Sequence, residues 1–204
     1  MFGWPLSPTT RGCVVFVDRD FLFCTDAQYE QHHSETDLSS IKAILFDRDG
    51  VLIKDTGFPY LPEHLIWTDG ALSLLAWLKS RGTLALVATN QSGVARGYFP
   101  LTAVDQFHEL MSSQAGFAGG RLDRIAFCPH LESGAVPPFN VPCSCRKPEP
   151  GLLLSLLQEF RLQPHEAIMI GDRQSDLQAA SAAGVRGYLF ESGNLDEFVR
   201  PLLV

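Results

Sequence analysis

Positive charge is scarce in this chain. Sixteen Lys and Arg stand against 23 Asp and Glu, a formal net charge of −7. That balance argues against a nucleic-acid binder, because phosphate backbones reward basic faces. It leaves an anionic small molecule open as substrate, since a metal ion and a few local cations reverse the field inside one cleft. Long hydrophobic runs are missing as well, and none approaches the roughly 18–20 residues a membrane helix needs. The first residues carry no basic segment followed by an apolar run and a small-residue cleavage site. A cytoplasmic protein without a membrane partner is the expectation. Cysteine is limited to five residues, which in that compartment points away from disulfides and toward thiol or metal chemistry.

What is present suits a single globular domain: 204 residues, 46% apolar and 19% charged. Residues 1–40 read as an N-terminal extension with one strand-like run, Cys13 to Val17, before the polar stretch "TDAQYEQHHSETDLSS". That run forms an edge strand, or the whole extension is mobile. Residues 41–204 read as one domain in which strands and helices alternate. "KAILF", "TLALVAT", "DRIAF", "EAIMI" and "RGYLF" are strand signals. "DGALSLLAWLKSRG" is a helix with apolar residues at Ala71, Leu74, Leu75 and Leu78 and Gly82 just past its end. "LTAVDQFHELMSSQ" is a second helix with Thr102 as N-cap. "PGLLLSLLQEFRL", with Pro150 near its start, and "SDLQAASAAG" are two more. This alternation predicts an α/β fold, a mostly parallel sheet covered by helices on both faces. Ligands of such sheets bind at the carboxyl ends of the strands.

The chemistry of those ends is therefore informative. The first strand runs into Asp47-Arg48-Asp49-Gly50. In extended chain, residues i and i+2 point the same way, so both carboxylates face one site and Arg48 faces elsewhere. The second strand ends in Thr89-Asn90-Gln91-Ser92-Gly93, a polar turn with hydroxyl and backbone donors for a phosphate. Arg146-Lys147-Pro148 precedes a later helix, and Gly171-Asp172-Arg173 follows the fourth strand, with Asp176 beyond. Singly, each is ordinary turn or surface chemistry. Together, they place carboxylates, cations and a hydroxyl around one cleft.

The order Asp-x-Asp-Gly, Thr, Lys, Gly-Asp-x3-Asp resembles the haloacid dehalogenase superfamily of phosphohydrolases, over residues 41 to 192 or so. The resemblance implies a Rossmann-like fold and Mg²⁺-dependent hydrolysis of phosphomonoesters through an aspartyl-phosphate. By it, Asp47 is the nucleophile and Asp49 the general acid and base. Asp47, Asp172 and the backbone carbonyl of Asp49 hold Mg²⁺, and Thr89 and Lys147 hold the phosphoryl oxygens. The physics agrees, since a carboxylate approaches a phosphate dianion only where cations cancel the repulsion. With only about forty residues between Asp49 and Thr89, no cap domain fits, which makes the enzyme capless.

Cys128-Pro-His130, twelve residues, then Cys143-Ser-Cys145 gives C-x-H-x12-C-x-C. Three thiolates and one imidazole suit a closed, structural zinc site. The alternative is three buried thiols and an unrelated histidine, but a loop as rich in Pro and Gly as 128–145 gains order from metal ligation. Arg146 and Lys147 follow at once, so fixing the loop fixes the phosphate-binding cations. "TNQSGVARGYF", "CPH", "CSCRKPEPG" and "GDRQSDLQAA" narrow the resemblance to the D-glycero-D-manno-heptose 1,7-bisphosphate 7-phosphatases, and next to the histidinol-phosphate phosphatases. "NQSGVARG" favours the first family, whereas Leu131 and Arg173 lean toward the second. The resemblance implies a small phosphorylated metabolite of carbohydrate metabolism, a lipopolysaccharide core precursor, as substrate for a monomeric enzyme. Asp55, Thr56, Gly57, Phe58, Asn90, Gln91, Ser92, Arg146 and Arg173 would contact it. A non-enzymatic zinc-stabilised binding module is the rival from another class.

An upstream echo, "CVVFVDRDFLFC", repeats the Asp-Arg-Asp pattern at Asp18 and Asp20. Phe21 stands there where the second copy has Gly50, and only glycine readily lets the backbone turn tightly beside a ligand. Asp47 and Asp49 are therefore read as the working pair. The pair His32-His33 reads as solvent-exposed, and Cys13 and Cys24 as buried or unpaired thiols.

Overall fold

The computed structural model describes residues 41–203 together with the backbone of Val17–Asp18 and Phe21–Leu22. The chain divides into two compact units, Met1–Thr36 and Asp37–Val204. In the first, β1 (Val17–Asp18) pairs antiparallel with β2 (Phe21–Leu22). The remaining expectations for residues 1–40 lie outside the described residues: the rest of the strand-like run, His32-His33, Cys13, Cys24, Asp20 and the side chain of Asp18.

The second unit is built on five parallel strands in the order β5-β4-β3-β6-β7. They are β3 (Ala43–Phe46), β4 (Leu84–Asn90), β5 (Arg124–Cys128), β6 (Ala167–Gly171) and β7 (Arg186–Leu189). β3 is central, with Phe46 in register with Val87 on one side and Ile170 on the other. All four of its residues are buried, as a strand covered on both faces requires. Ile44 and Phe46 enter a core with α1 (Ala71–Arg81), α3 (Leu101–Phe117) and α6 (Leu195–Val199). Ala43 and Leu45 enter a second core with α4 (Gly151–Glu159) and α5 (Gln174–Ala182). Each fully buried Leu, Ile or Phe contributes about 1.5–3 kcal/mol, so this double burial holds the strand ends rigidly beneath the loops.

The helix α1 buries Ala71, Leu74, Leu75 and Leu78 and ends at Gly82 with φ 73°, as its spacing predicts. One helix start differs from expectation. Pro100 is the N-cap of α3, its carbonyl accepting the Ala103 N–H, so Thr102 lies inside the first turn. Pro150 caps α4 from outside it. The one-turn α2 (Gly93–Arg96) and α6 are too short for a periodic signal and were not expected. The proline-rich segment 131–142 forms no helix or strand. It docks on α2 instead, where Ala135 and Val136 donate to the Ala95 carbonyl at 2.7 and 3.0 Å. No helix among the described residues is long and apolar enough to cross a membrane.

Candidate active site

A cavity of about 600 Å³ opens at the carboxyl ends of the strands, where an open parallel sheet places its ligands. Of the expected site residues, Asp47, Asp49, Asp55, Gly57, Phe58, Thr89, Asn90, Gln91, Ser92, Arg146, Lys147 and Arg173 line it. Thr56 does not. Asp172 lies behind the wall, its carboxylate within 4.8 Å of those of Asp47 and Asp176.

The floor is a charge cluster. Lys147 is 3% exposed and its ammonium sits 2.9 Å from Asp47 Oδ1 and 2.6 Å from Asp176 Oδ1, and donates to the Ala88 carbonyl at 2.7 Å. Burial alone would discharge the amine, but Asp47 and Asp176 outweigh it and hold its pKa above the usual lysine value. Asn90 fixes this lysine from across the cavity, its amide donating to the Lys147 carbonyl and accepting the Lys147 N–H at 2.9 and 3.0 Å. Asn90 thus positions Lys147 while lining the site. Asp176 is fully engaged, with its second oxygen accepting the Arg173 N–H at 3.0 Å.

Asp47 Oδ1 is buried with the Lys147 ammonium 2.9 Å away as its partner, and Asp172 Oδ1 is buried and accepts no hydrogen bond. Burial, reinforced by the charge of Asp47, pushes the Asp172 carboxyl up to about 6. An orphaned Asp172 oxygen beside the Asp47 and Asp176 carboxylates fits a hard divalent cation, whose oxygen-donor preference these groups match. Gly50 makes that proximity possible. Its φ is +85°, and a Cβ there would lie 2.7 Å from Asp172 Cγ; no side chain fits.

The flanking residues hold one another. Gln91, 2% exposed, donates to Asp49 Oδ2 and to Thr89 Oγ1, each at 3.0 Å. Its amide orients the acid and the hydroxyl together. Burial pushes the Asp49 carboxyl up, with Arg48 opposing and the charge of Asp47 adding. Arg173 closes one side through an exposed ion pair with Asp55 at 2.8 Å, and Arg96 lies over the Phe58 ring at 5.8 Å.

Beside the cavity, Cys128, His130, Cys143 and Cys145 present four donor atoms within 4.8 Å of one another. The sulfurs stand 2.9, 3.4 and 3.5 Å apart, and His130 Nδ1 is 3.4 Å from Cys145 Sγ. Three thiols and an imidazole converging on one point are the donor set of a closed zinc site, and this cluster can hold that ion. Arg146 donates to the His130 carbonyl at 3.3 Å, which ties the cavity wall to the cluster.

Arg48 does not line the cavity, as alternation predicts, but its side chain reaches the Asp49 carboxylate, 2.7 Å from Nε to Oδ1, a partnership the alternation did not reveal. Arg96 and Ser175 also line the cavity and were missed; Asp176 and Pro148, noted among the strand-end residues without a role, line it too. For Arg48 a signal existed, since a cation at the end of a buried strand needs a partner.

The comparisons with known proteins agree with this geometry. The HAD-hydrolase-like family profile matches residues 144–198. A D-glycero-beta-D-manno-heptose-1,7-bisphosphate 7-phosphatase from Rhodopseudomonas palustris is 36% identical over 162 residues, 79% of this chain and 90% of that protein. Its Escherichia coli namesake is 38% identical over 146 residues, 72% of this chain and 76% of that protein. The crystal structure of D,D-heptose 1,7-bisphosphate phosphatase from B. bronchiseptica, complexed with magnesium and phosphate, is similar with a TM-score of 0.68 at 33% identity, covering 79% of this chain and 87% of that one. With a five-stranded parallel sheet, this cavity and these relatives, the chain belongs to the haloacid dehalogenase-like hydrolases and is a phosphatase.

Proposed function

We propose that the chain removes the 7-phosphate of D-glycero-D-manno-heptose 1,7-bisphosphate through a phosphorylated Asp47. The observation that carries the reading is the cavity floor: a buried aspartate paired with a buried charged lysine, facing a second aspartate. A volume of about 600 Å³ suits a phosphorylated sugar. Arg96, Arg146 and Arg173 on its walls supply cations for a second anionic group.

In this mechanism Asp47 attacks phosphorus while the ester P–O bond breaks. Asp49 gives its proton to the leaving alkoxide. Its raised pKa suits that role, since the carboxyl keeps a proton more readily than an exposed aspartate. Lys147 and Thr89 hold the equatorial oxygens, where charge spreads in the transition state. Asp49, now ionised, takes a proton from water as that water attacks the aspartyl-phosphate, releasing inorganic phosphate and restoring Asp47. Asp47, Asp172 and the Asp49 carbonyl would hold Mg²⁺, which supplies charge neutralisation at the phosphoryl group when bound. The thiol cluster would hold zinc as scaffold, keeping Arg146 and Lys147 in register with the cavity.

Leu131 and Arg173 favour a second reading, histidinol phosphate as substrate. Phosphate release from a panel containing both esters and other sugar phosphates separates the two. Turnover of the heptose ester at least tenfold above histidinol phosphate, abolished in Asp47→Asn, is the expected result. The reverse preference transfers the assignment to histidinol phosphate, and turnover that survives Asp47→Asn overturns the nucleophile.

A further inference from the structure

We propose that Arg48 is a positioning residue for the acid of this reaction, locking the Asp49 carboxylate against the cavity wall and joining it to the 54–59 loop. The inference rests on the reading of Asp49 as proton donor.

Arg48 is fully buried and does not line the cavity. Its Nε donates to Asp49 Oδ1 at 2.7 Å and its Nη2 to Asp49 Oδ2 at 3.0 Å. This two-point fork matches the plane of a carboxylate and fixes both of its torsions. The same Nη2 approaches the Pro59 carbonyl and Gln91 Oε1, each at 2.9 Å. Nη1 lies 3.0 Å from His108 Nε2. A guanidinium only donates, so His108 Nε2 is the acceptor and its ring proton sits on Nδ1. Phe107 closes the remaining side, with its ring centroid 5.0 Å from the guanidinium carbon.

One side chain therefore joins the loop after β3, the loop ending at Pro59, the turn after β4 and α3. A buried ion pair alone is a weak argument for function. Here, however, the paired carboxylate is the one that faces the cavity, and a proton donor works only within hydrogen-bond reach of the leaving oxygen. The Pro59 contact extends the lock to the segment carrying Asp55, Gly57 and Phe58, which line the same cavity. A lysine keeps the charge at this position but not the fork.

The test is the dependence on leaving group, read as kcat/KM so that only the first phosphoryl transfer is reported. The magnesium-loaded full chain is assayed on the best alkyl phosphate of the panel above and on p-nitrophenyl phosphate, whose leaving group departs without a proton. Asp49→Asn is the reference. Arg48→Met should lose roughly 10- to 100-fold on the alkyl ester, part of the ~10²–10⁴ that a positioned acid supplies. It should lose less than about fivefold on the aryl ester, and inhibition by inorganic phosphate should stay within about twofold, because Lys147 and Thr89 are untouched. Arg48→Lys, the variant for use if Arg48→Met does not fold, should show the same asymmetry with smaller losses. Equal losses on both esters, or none, overturn the positioning role while Asp49→Asn still shows the asymmetry. If Asp49→Asn shows no asymmetry, the reading of Asp49 falls and takes this inference with it.

Discussion

Replacing Lys147 with methionine tests the charge cluster under the cavity. The Lys147 side chain is 1% exposed, and its ammonium is the cation between Asp47 and Asp176, at 2.9 and 2.6 Å. Methionine fills the volume but leaves two buried carboxylates facing each other without that charge. Removing one partner from a buried ion pair destabilises by about 3–5 kcal/mol. At about 2–4 °C per kcal/mol for a chain of this size, the melting temperature of metal-free protein should fall by roughly 6–20 °C. Asp176→Asn removes one of the stranded charges. In the double variant the two effects should therefore sum to less than their separate values, with a coupling of about 1–3 kcal/mol. Urea unfolding of the four proteins at pH 7.5 measures both quantities. A Lys147→Met protein within about 1 kcal/mol of wild type, or an additive cycle, would refute the claim that this lysine neutralises the two aspartates.

Three further predictions concern pH, metal and backbone. Burial, aided by Arg48, holds the His108 pKa down to about 3 from 6.5, so the native state refuses a proton that the unfolded chain takes up. The stability from this group is complete above pH 6.5 and falls by about 1.4 kcal/mol per pH unit below it, about 3 kcal/mol by pH 4. Asp172 shifts stability in the opposite sense, and comparison with His108→Gln cancels it; equal pH slopes for the two proteins would contradict the prediction. Metal analysis should find about one zinc per chain, and Cys145→Ser or a strong chelator should remove it, lower the melting temperature and weaken inhibition by inorganic phosphate. Zinc-free protein with an unchanged phosphate inhibition constant would show that the thiol cluster does not support Arg146 and Lys147. Gly50→Ala places a methyl against the Asp172 carboxylate at a positive φ, so the magnesium concentration for half-maximal turnover should rise about tenfold or more, equivalent to ~1.4 kcal/mol; an unchanged magnesium titration would place the cation elsewhere.

Much of the site was legible because its residues sit where strands end. A run of four or five apolar residues stops at a charged or polar turn, and the turn residues of Asp47, Thr89 and Asp172 inherit their placement from the sheet. The thiol cluster was equally legible, since ligand chemistry demands particular residue types and the spacing allows convergence. The start of α3 was less so, because Pro100 and Thr102 both suit the first positions of a helix and Pro100 takes the cap.

Side-chain partnership was a different matter. Gln91 and Asn90, expected as substrate contacts, line the cavity, and their amides also hold Asp49, Thr89 and Lys147. Arg48 was read as facing away from the site; it does not line the cavity, yet it is buried in full and bonded to Asp49. Alternation along a strand states where Cβ points, not where a guanidinium several atoms further on finds its acceptors.

By itself the sequence determined the strand-helix alternation, the Asp47-Asp49 carboxylate pair and the Cys/His set able to hold a metal, because each depends on local periodicity or on the chemistry of residue types. Only the tertiary structure decided which groups pair: Lys147 with Asp47 and Asp176, Arg48 with Asp49, Arg173 with Asp55. Those pairs join residues as far as 118 positions apart. Burial selects them, since a charge withdrawn from water must find its counter-charge wherever the packed chain has brought one.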